Sequence, residues 1–295
     1  MTTTKLRRIH TVAAFAATVF IIPLLCILSS CTTKETSHIM PPITKVAHRG
    51  GSLLAPENTL ASFQRGIDEG CDAIELDVHL SQDGVLIVMH DPSLFRTTER
   101  EGYVGEWSYA AIKELDARSS WHGEEEYGVQ RVPTFEEVLA LIVRQERQVA
   151  LQVEIKTDQS NHRYEGIEEA VVNALREYDL IERTVIISFD FPTLLTVREI
   201  EPALRLGALV SRTYLETIGL DGPAAVAASI ADLGVEYVAI NYTYLSAKLS
   251  DEFRQSGLLI GAWTVNNEKD IRRISAMGVD FITSDRPDLL RELLP

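Results

Sequence analysis

The stretch Ala73-Ile74-Glu75-Leu76-Asp77-Val78-His79 alternates, with Ile74, Leu76 and Val78 set against Glu75, Asp77 and His79. Successive side chains of a β-strand point to opposite faces, so the apolar set packs on one side and both carboxylates point to the other. In a barrel strand the apolar face meets the surrounding helices and the acids point into the barrel mouth. Two inward carboxylates about 7 Å apart are costly unless a cation or strong donors offset them.

Outward from this strand, short β-rich runs alternate with longer helical patterns, as in parallel βα units. The expected strands are Lys45 to His48, Ala73 to Leu80, Val149 to Ile155, Thr184 to Ser188, Arg205 to Leu209, Tyr237 to Ile240, Leu259 to Thr264 and Val279 to Ile282. Helical patterns follow, among them Thr59 to Glu69, Glu165 to Tyr178, Gly222 to Leu233 and Glu268 to Met277. Eight such repeats in about 250 residues predict an α/β fold, one (β/α)8 TIM barrel spanning 44–295. A doubly wound open sheet is the alternative, but no Gly-x-Gly-x-x-Gly turn follows the first strand. Between Asp91 and Pro133 the rhythm breaks. Gly102, Gly105, Trp107, Trp121, His122 and the acidic run Glu124 to Glu126 accompany one short helix at Ser108 to Leu115. This reads as an insertion at about 91–133, after the second strand region, either a surface excursion or a substrate lid.

Composition agrees with one globular body. The chain has 295 residues, 45% hydrophobic and 24% charged, with 17 Gly and 11 Pro, which excludes a disordered or collagen-like chain. Its formal charge of −15 argues against nucleic acid as a partner, because phosphate backbones need an electropositive face.

A third inward acid comes from Leu151-Gln152-Val153-Glu154-Ile155-Lys156, where Glu154 and Lys156 share the face opposite Val153 and Ile155. Glu75, Asp77 and Glu154 are hard oxygen ligands with no Cys or His cluster beside them, which favours Ca²⁺ or Mg²⁺ over zinc. The plainer alternative is a set of salt-bridged barrel acids. His48, in Val46-Ala47-His48-Arg49-Gly50-Gly51, and His90, in Val85 to Pro92, stand at apparent strand ends. Imidazoles move protons near neutral pH. With Arg49 and three carboxylates they suggest a cation and a guanidinium holding a phosphate while paired histidines move protons across it. His79 has no second pattern behind it and reads as hydrogen-bonded support, while His38, His122 and His162 carry no assignable chemistry. No Gly-x-Ser-x-Gly elbow, Gly-x-x-x-x-Gly-Lys-[Ser/Thr] loop or His-Glu-x-x-His helix is present.

The N-terminus reads as an export signal. Lys5, Arg7 and Arg8 precede an apolar run from Val12 to Leu28, and Leu28-Ser29-Ser30-Cys31 resembles the lipobox of bacterial lipoproteins, whose cysteine is acylated. An uncleaved transmembrane anchor is the alternative. On the lipoprotein reading residues 1–30 are removed and 31–43 form a tether. Cys31 then carries lipid, and the protein is exported and lipid-anchored to a bacterial membrane on its extracytoplasmic side. Cys26 leaves with the signal, so Cys71 is the one free thiol and reads as a small buried apolar residue.

Seven ordered motifs then converge: His48-Arg49-Gly50, Pro56-Glu57-Asn58-Thr59, Glu75-Leu76-Asp77-Val78, Asp83-Gly84, His90-Asp91, Glu154-Ile155-Lys156 and Trp263-Thr264-Val265-Asn266. In that order they resemble the glycerophosphodiester phosphodiesterases, from about Thr44 to Leu293, with no motif residue missing. The resemblance implies a TIM barrel with an insertion after the His-Asp motif, and hydrolysis of a glycerophosphodiester to glycerol 3-phosphate and an alcohol. It also implies roles. Glu75, Asp77 and Glu154 bind the divalent ion, His48 and His90 are the acid/base pair, Arg49 and Lys156 hold phosphate, and Trp263 forms an apolar wall. In the family's scheme the glycerol 2-hydroxyl attacks phosphorus, giving a cyclic phosphate that water opens. Glu57 and Asn58 are expected to support the site, Asn58 by capping the helix that starts at Thr59 and Glu57 by bonding the loop after the first strand. Two alternatives stand beside this. One is a phospholipase acting on intact or lyso-phospholipids, and the other is a surface binding lipoprotein that keeps the barrel as a scaffold.

Overall fold

The computed structural model describes residues 43–123 and 127–295. The expected signal, Cys26, Cys31, the tether as far as residue 42 and the acidic run Glu124 to Glu126 lie outside the described residues.

Among the described residues nine strands form one sheet: β1 (Thr44–Ala47), β2 (Ala73–Leu80), β3 (Leu86–Val88), β4 (Ala150–Ile155), β5 (Thr184–Ser188), β6 (Arg205–Val210), β7 (Tyr237–Asn241), β8 (Leu259–Trp263) and β9 (Phe281–Ser284). All but β3 are parallel in the order β1-β9-β8-β7-β6-β5-β4-β2, and β1 pairs with β2 to close the ring. The fold is therefore the eight-stranded parallel barrel with surrounding helices expected from the repeats. Local chemistry sets the element ends. The staves are short β-branched runs such as Thr-Val-Ile-Ile-Ser in β5. Helix α1 (Leu60–Asp68) begins at a capping box of Thr59 and Ser62, and the helix Phe135–Val143 at one of Thr134 and Glu137.

Three apolar clusters hold the body together. The largest lies between the sheet and the helices, with Phe63, Ile74, Leu76, Val78, Val153 and Ile155 among its members. A smaller one fills the barrel interior with Val46, Ala73, Val185, Ile187, Leu209, Ala239 and Phe281. Gly261 faces Phe281, and a Cβ at that position would stand 1.9 Å from the ring, so β8 gives up a side chain to admit the Phe281 ring. The third cluster, with Ile87, Leu94, Val104, Ile112 and Val132, gives the insertion a core of its own.

The differences from the sequence reading are local. His48 does not end β1 but opens a 3-10 turn, His48–Gly50. The last stave runs Phe281–Ser284 rather than Val279 to Ile282, because Asp280 is engaged in fixing β8, its Oδ2 accepting from Ile260 N at 2.7 Å. The run after the second stave is an antiparallel arm, β3, paired with the end of β2 through Val78 and Val88. This hairpin returns the chain along β2, so that Met89 N donates to Asp77 O at 3.1 Å and His90 arrives beside the acids. The insertion carries two one-turn helices, α2 (Phe95–Thr98) and Tyr109–Ile112, where one was expected. Among the described residues no helix is long and apolar enough to cross a membrane.

Candidate active site

Alternation puts Glu75 and Asp77 on the inner face of β2, and register supplies the third acid. Asp77 is the Cα partner of Glu154 across the β2–β4 ladder. One oxygen each of Glu75, Asp77 and Glu154 lie within 4.8 Å of one another, and all three residues are buried. Protein donors meet them unevenly. Asp77 has most of them: Asn58 Nδ2 donates to its Oδ2 at 2.8 Å, Lys156 Nζ stands 3.2 Å from its Oδ1 and Arg49 Nε 3.7 Å from its Oδ2. Lys156 Nζ also lies 2.7 Å from Glu154 Oε1, while Glu75 accepts from the Arg49 backbone N–H at 2.9 Å.

The electrostatics follow that distribution. Burial, then the neighbouring Asp77, push the Glu75 carboxyl up to about 8. Burial likewise raises Glu154 against the pull of Lys156. Burial alone would raise Asp77 as well, but Lys156, His90, Arg49 and the Asn58 bond outweigh it and hold it well below the usual carboxylate range. Two of three converging acids are thus short of positive charge. An all-oxygen donor set with that deficit fits a hard divalent cation, and no thiol or imidazole stands among the donors to select a softer one.

Both histidines are oriented by carboxylates. His48 Nδ1 is 2.6 Å from Asp285 Oδ1, and His90 Nδ1 is 2.6 Å from Asp91 Oδ1. Despite burial, the bonds from His48, Ser52 and Asn266 hold Asp285 down at about 2, so it is an ionised acceptor and Nδ1 carries the proton. Burial pulls the other way on His48, yet Glu75, 3.9 Å from its Nε2, and Asp285 raise its pKa overall. Each ring is left with Nε2 free to give or take a proton.

A guanidinium joins the two halves. Arg96, on α2, donates through Nε to Asp91 at 2.5 Å, and through Nη1 and Nη2 to Glu57 at 2.7 and 2.8 Å. Glu57 in turn accepts from Arg49 Nη1 at 3.0 Å. Sequence reasoning gave no role to Arg96, Asp91 or Asp285. Asp91 stands next to His90, and Asp285 follows the last stave at the carboxyl end of the barrel, where TIM-barrel chemistry gathers, so both left a signal. Arg96 left none, lying in a stretch with no periodicity.

The turn carrying His48 needs its glycine: Gly50 has φ +84°, and a Cβ there would stand 2.4 Å from the Ser62 backbone carbon. Arg49 and Asn58 also adopt left-handed backbone, at φ 49° and 54°, a conformation that ordinary residues keep only where the surroundings impose it. Asn58 does not cap α1. Thr59 does, its side chain accepting from Ser62 N, while Asn58 turns inward to Asp77. His79 is buried and held neutral at a pKa of about 4, chiefly by burial. Its Nε2 donates to the His90 carbonyl at 3.2 Å, which leaves Nδ1 to accept from the Tyr164 hydroxyl at 3.0 Å.

His48, Arg49, Glu75, His90, Glu154 and Trp263 line one cavity. Trp263 meets Phe189 edge to face, with centroids 5.8 Å apart. Lys156 lies in the adjoining cleft beyond His90 and Glu154. Among the remaining histidines, His122 and His162 are exposed and His38 lies outside the described residues.

Residues 48–289 match the model of the glycerophosphoryl diester phosphodiesterase family. A glycerophosphodiester phosphodiesterase of Caldanaerobacter subterraneus subsp. tengcongensis is 36% identical over 251 residues, covering 84% of this chain and 96% of that protein. One from Bacillus altitudinis is 33% identical over 253 residues, covering 83% and 96%. The solved structure of an Oleispira antarctica phosphodiesterase in complex with the product sn-glycerol-3-phosphate aligns with a TM-score of 0.71 at 28% identity, covering 85% of this chain and 96% of that one. A match over that much of the chain places it in an enzyme family: it belongs to the glycerophosphoryl diester phosphodiesterases.

Proposed function

We propose that this chain hydrolyses glycerophosphodiesters to glycerol 3-phosphate and a free alcohol. The observation that carries the reading is that two imidazoles, each tethered through Nδ1 to its own carboxylate, share one cavity with the Arg49 guanidinium and the carboxylates of Glu75 and Glu154. The glycerol 3-phosphate seen in the Oleispira relative supports the same product here.

On this reading Arg49 and Lys156 bind the phosphate oxygens. A Ca²⁺ or Mg²⁺ ion held by Glu75, Asp77 and Glu154 would supply Lewis-acid polarisation of the phosphoryl group. One histidine takes the proton of the glycerol 2-hydroxyl at its Nε2 as that oxygen attacks phosphorus, and the other protonates the leaving alkoxide from its Nε2. The resulting cyclic phosphate is opened by water with the proton transfers reversed. Trp263 and Phe189 form an apolar wall of the cavity. His48→Ala and His90→Ala should each lower turnover of glycerophosphocholine by roughly 10²- to 10⁴-fold while the circular dichroism spectrum stays unchanged. Near-native turnover by either variant would overturn the assignment.

We extend the proposal to location. The Leu28-Ser29-Ser30-Cys31 sequence supports lipid attachment at Cys31 on the extracytoplasmic side of a bacterial membrane. Fatty-acid labelling and membrane sedimentation should both be lost in Cys31→Ser, and persistent labelling would count against it.

A further inference from the structure

One buried polar group in the catalytic cavity is used by none of the chemistry above. Gln152 precedes Glu154 by two residues on β4, so its side chain shares the inner face about 6.6 Å deeper in the barrel. Its Cα partner across the ladder is Glu75. Gln152 is 5% exposed and lines the cavity floor with Ile187, Leu209, Ala239 and Thr283. Among the described residues no protein group hydrogen-bonds its amide, which faces cavity space. It also borders a second cavity, at the amino end of the barrel.

Ile187, Leu209 and Ala239 beside it on the floor are apolar, so the amide is left to pair with what enters the cavity. A Leu or Met would line the same space without a polar group. The amide presents both a donor and an acceptor, and an alcohol can use the two together, whereas a phosphate uses only the donor and a cation only the carbonyl. Of the two groups on a glycerophosphodiester, glycerol is small and constant, and it suits the enclosed floor. The variable alcohol needs the open mouth. The attacking hydroxyl must stand at the histidines, which leaves the terminal hydroxyl to face inward.

We propose that Gln152 is the specificity residue that reads the terminal hydroxyl of the glycerol moiety, an inference that rests on the hydrolase reading above. The test uses the cation-loaded enzyme and two diesters with the same p-nitrophenyl leaving group. One carries glycerol. The other carries a 2-hydroxypropyl group, which keeps the attacking hydroxyl and lacks the terminal one. The readout is the ratio of the two kcat/KM values, which a general loss of activity or of folded protein leaves unmoved. The native enzyme should favour the glyceryl compound by roughly 10- to 100-fold. In Gln152→Met that ratio should fall to within about threefold of unity. If that variant does not fold, Gln152→Asn, whose amide is one methylene short, should lower the ratio in the same direction. A ratio that survives substitution, or a native ratio near one, overturns the assignment of Gln152 alone. Turnover of neither compound by the native enzyme overturns the hydrolase reading and this inference with it.

Discussion

Arg96 lies flat against Glu57, its Nη1 2.7 Å from Oε2 and its Nη2 2.8 Å from Oε1, while its Nε holds Asp91 at 2.5 Å. One side chain from the insertion thus braces the carboxylate that orients His90 and the carboxylate that orients Arg49. The insertion is part of the frame of the candidate site.

Removing that brace should misorient two groups at once. Arg96→Ala is expected to lower kcat for glycerophosphocholine by about 10- to 100-fold with the fold intact. Arg96→Lys should recover only a small part, because an ammonium cannot reproduce the fork against Glu57 and also reach Asp91. Kinetics of the two variants check this, and native activity in Arg96→Lys would show that charge alone suffices.

Cation binding should be measurable without substrate. An ion that enters the Glu75, Asp77 and Glu154 cluster binds the folded chain and not the unfolded one, contributing about 2.7 kcal/mol at a hundredfold excess over Kd. The melting temperature should then rise by roughly 5–10 °C with Ca²⁺ or Mg²⁺ and fall back on chelation. Glu154→Gln removes one ligand charge and should shrink the rise. Identical melting curves with and without the ion would speak against a resident cation.

Cys71 is fully buried, and burial, followed by the neighbouring Asp72, pushes its thiol up to about 12 from an ordinary 9.0. The unfolded chain ionises at the ordinary value while the native chain keeps its proton. This contribution to stability is therefore fully present below pH 9 and is lost as pH rises from 9 towards 12. At pH 8, in a chain carrying Cys26→Ser and Cys31→Ser, iodoacetamide should leave the native protein unmodified and alkylate Cys71 readily in urea. Alkylation at equal rates in both would contradict the burial.

The sequence and the structure agree most where a signal is local and periodic. Alternation in Ala73 to His79 located two inward acids and, with the repeat count, the barrel. That Asp77 and Glu154 become direct neighbours depends on the β2–β4 register, which neither strand encodes alone. Asp285 was invisible as the partner of His48 because the contact spans 237 positions, and nothing local announces so distant a pairing. The cap of α1 was misread because Asn58 and Thr59 are both good N-caps. The box that settles it uses Ser62 where the usual signature has Glu or Gln.

The bond between His48 and Asp285 also ties the first stave to the last. A chain emerging amino end first carries His48 237 positions before Asp285. A chain stopped before Asp285 does not hold the oriented imidazole. Activity therefore becomes a readout of ring closure, and a truncation that removes β9 and the residues after it should yield a silent protein whatever else of the barrel it retains.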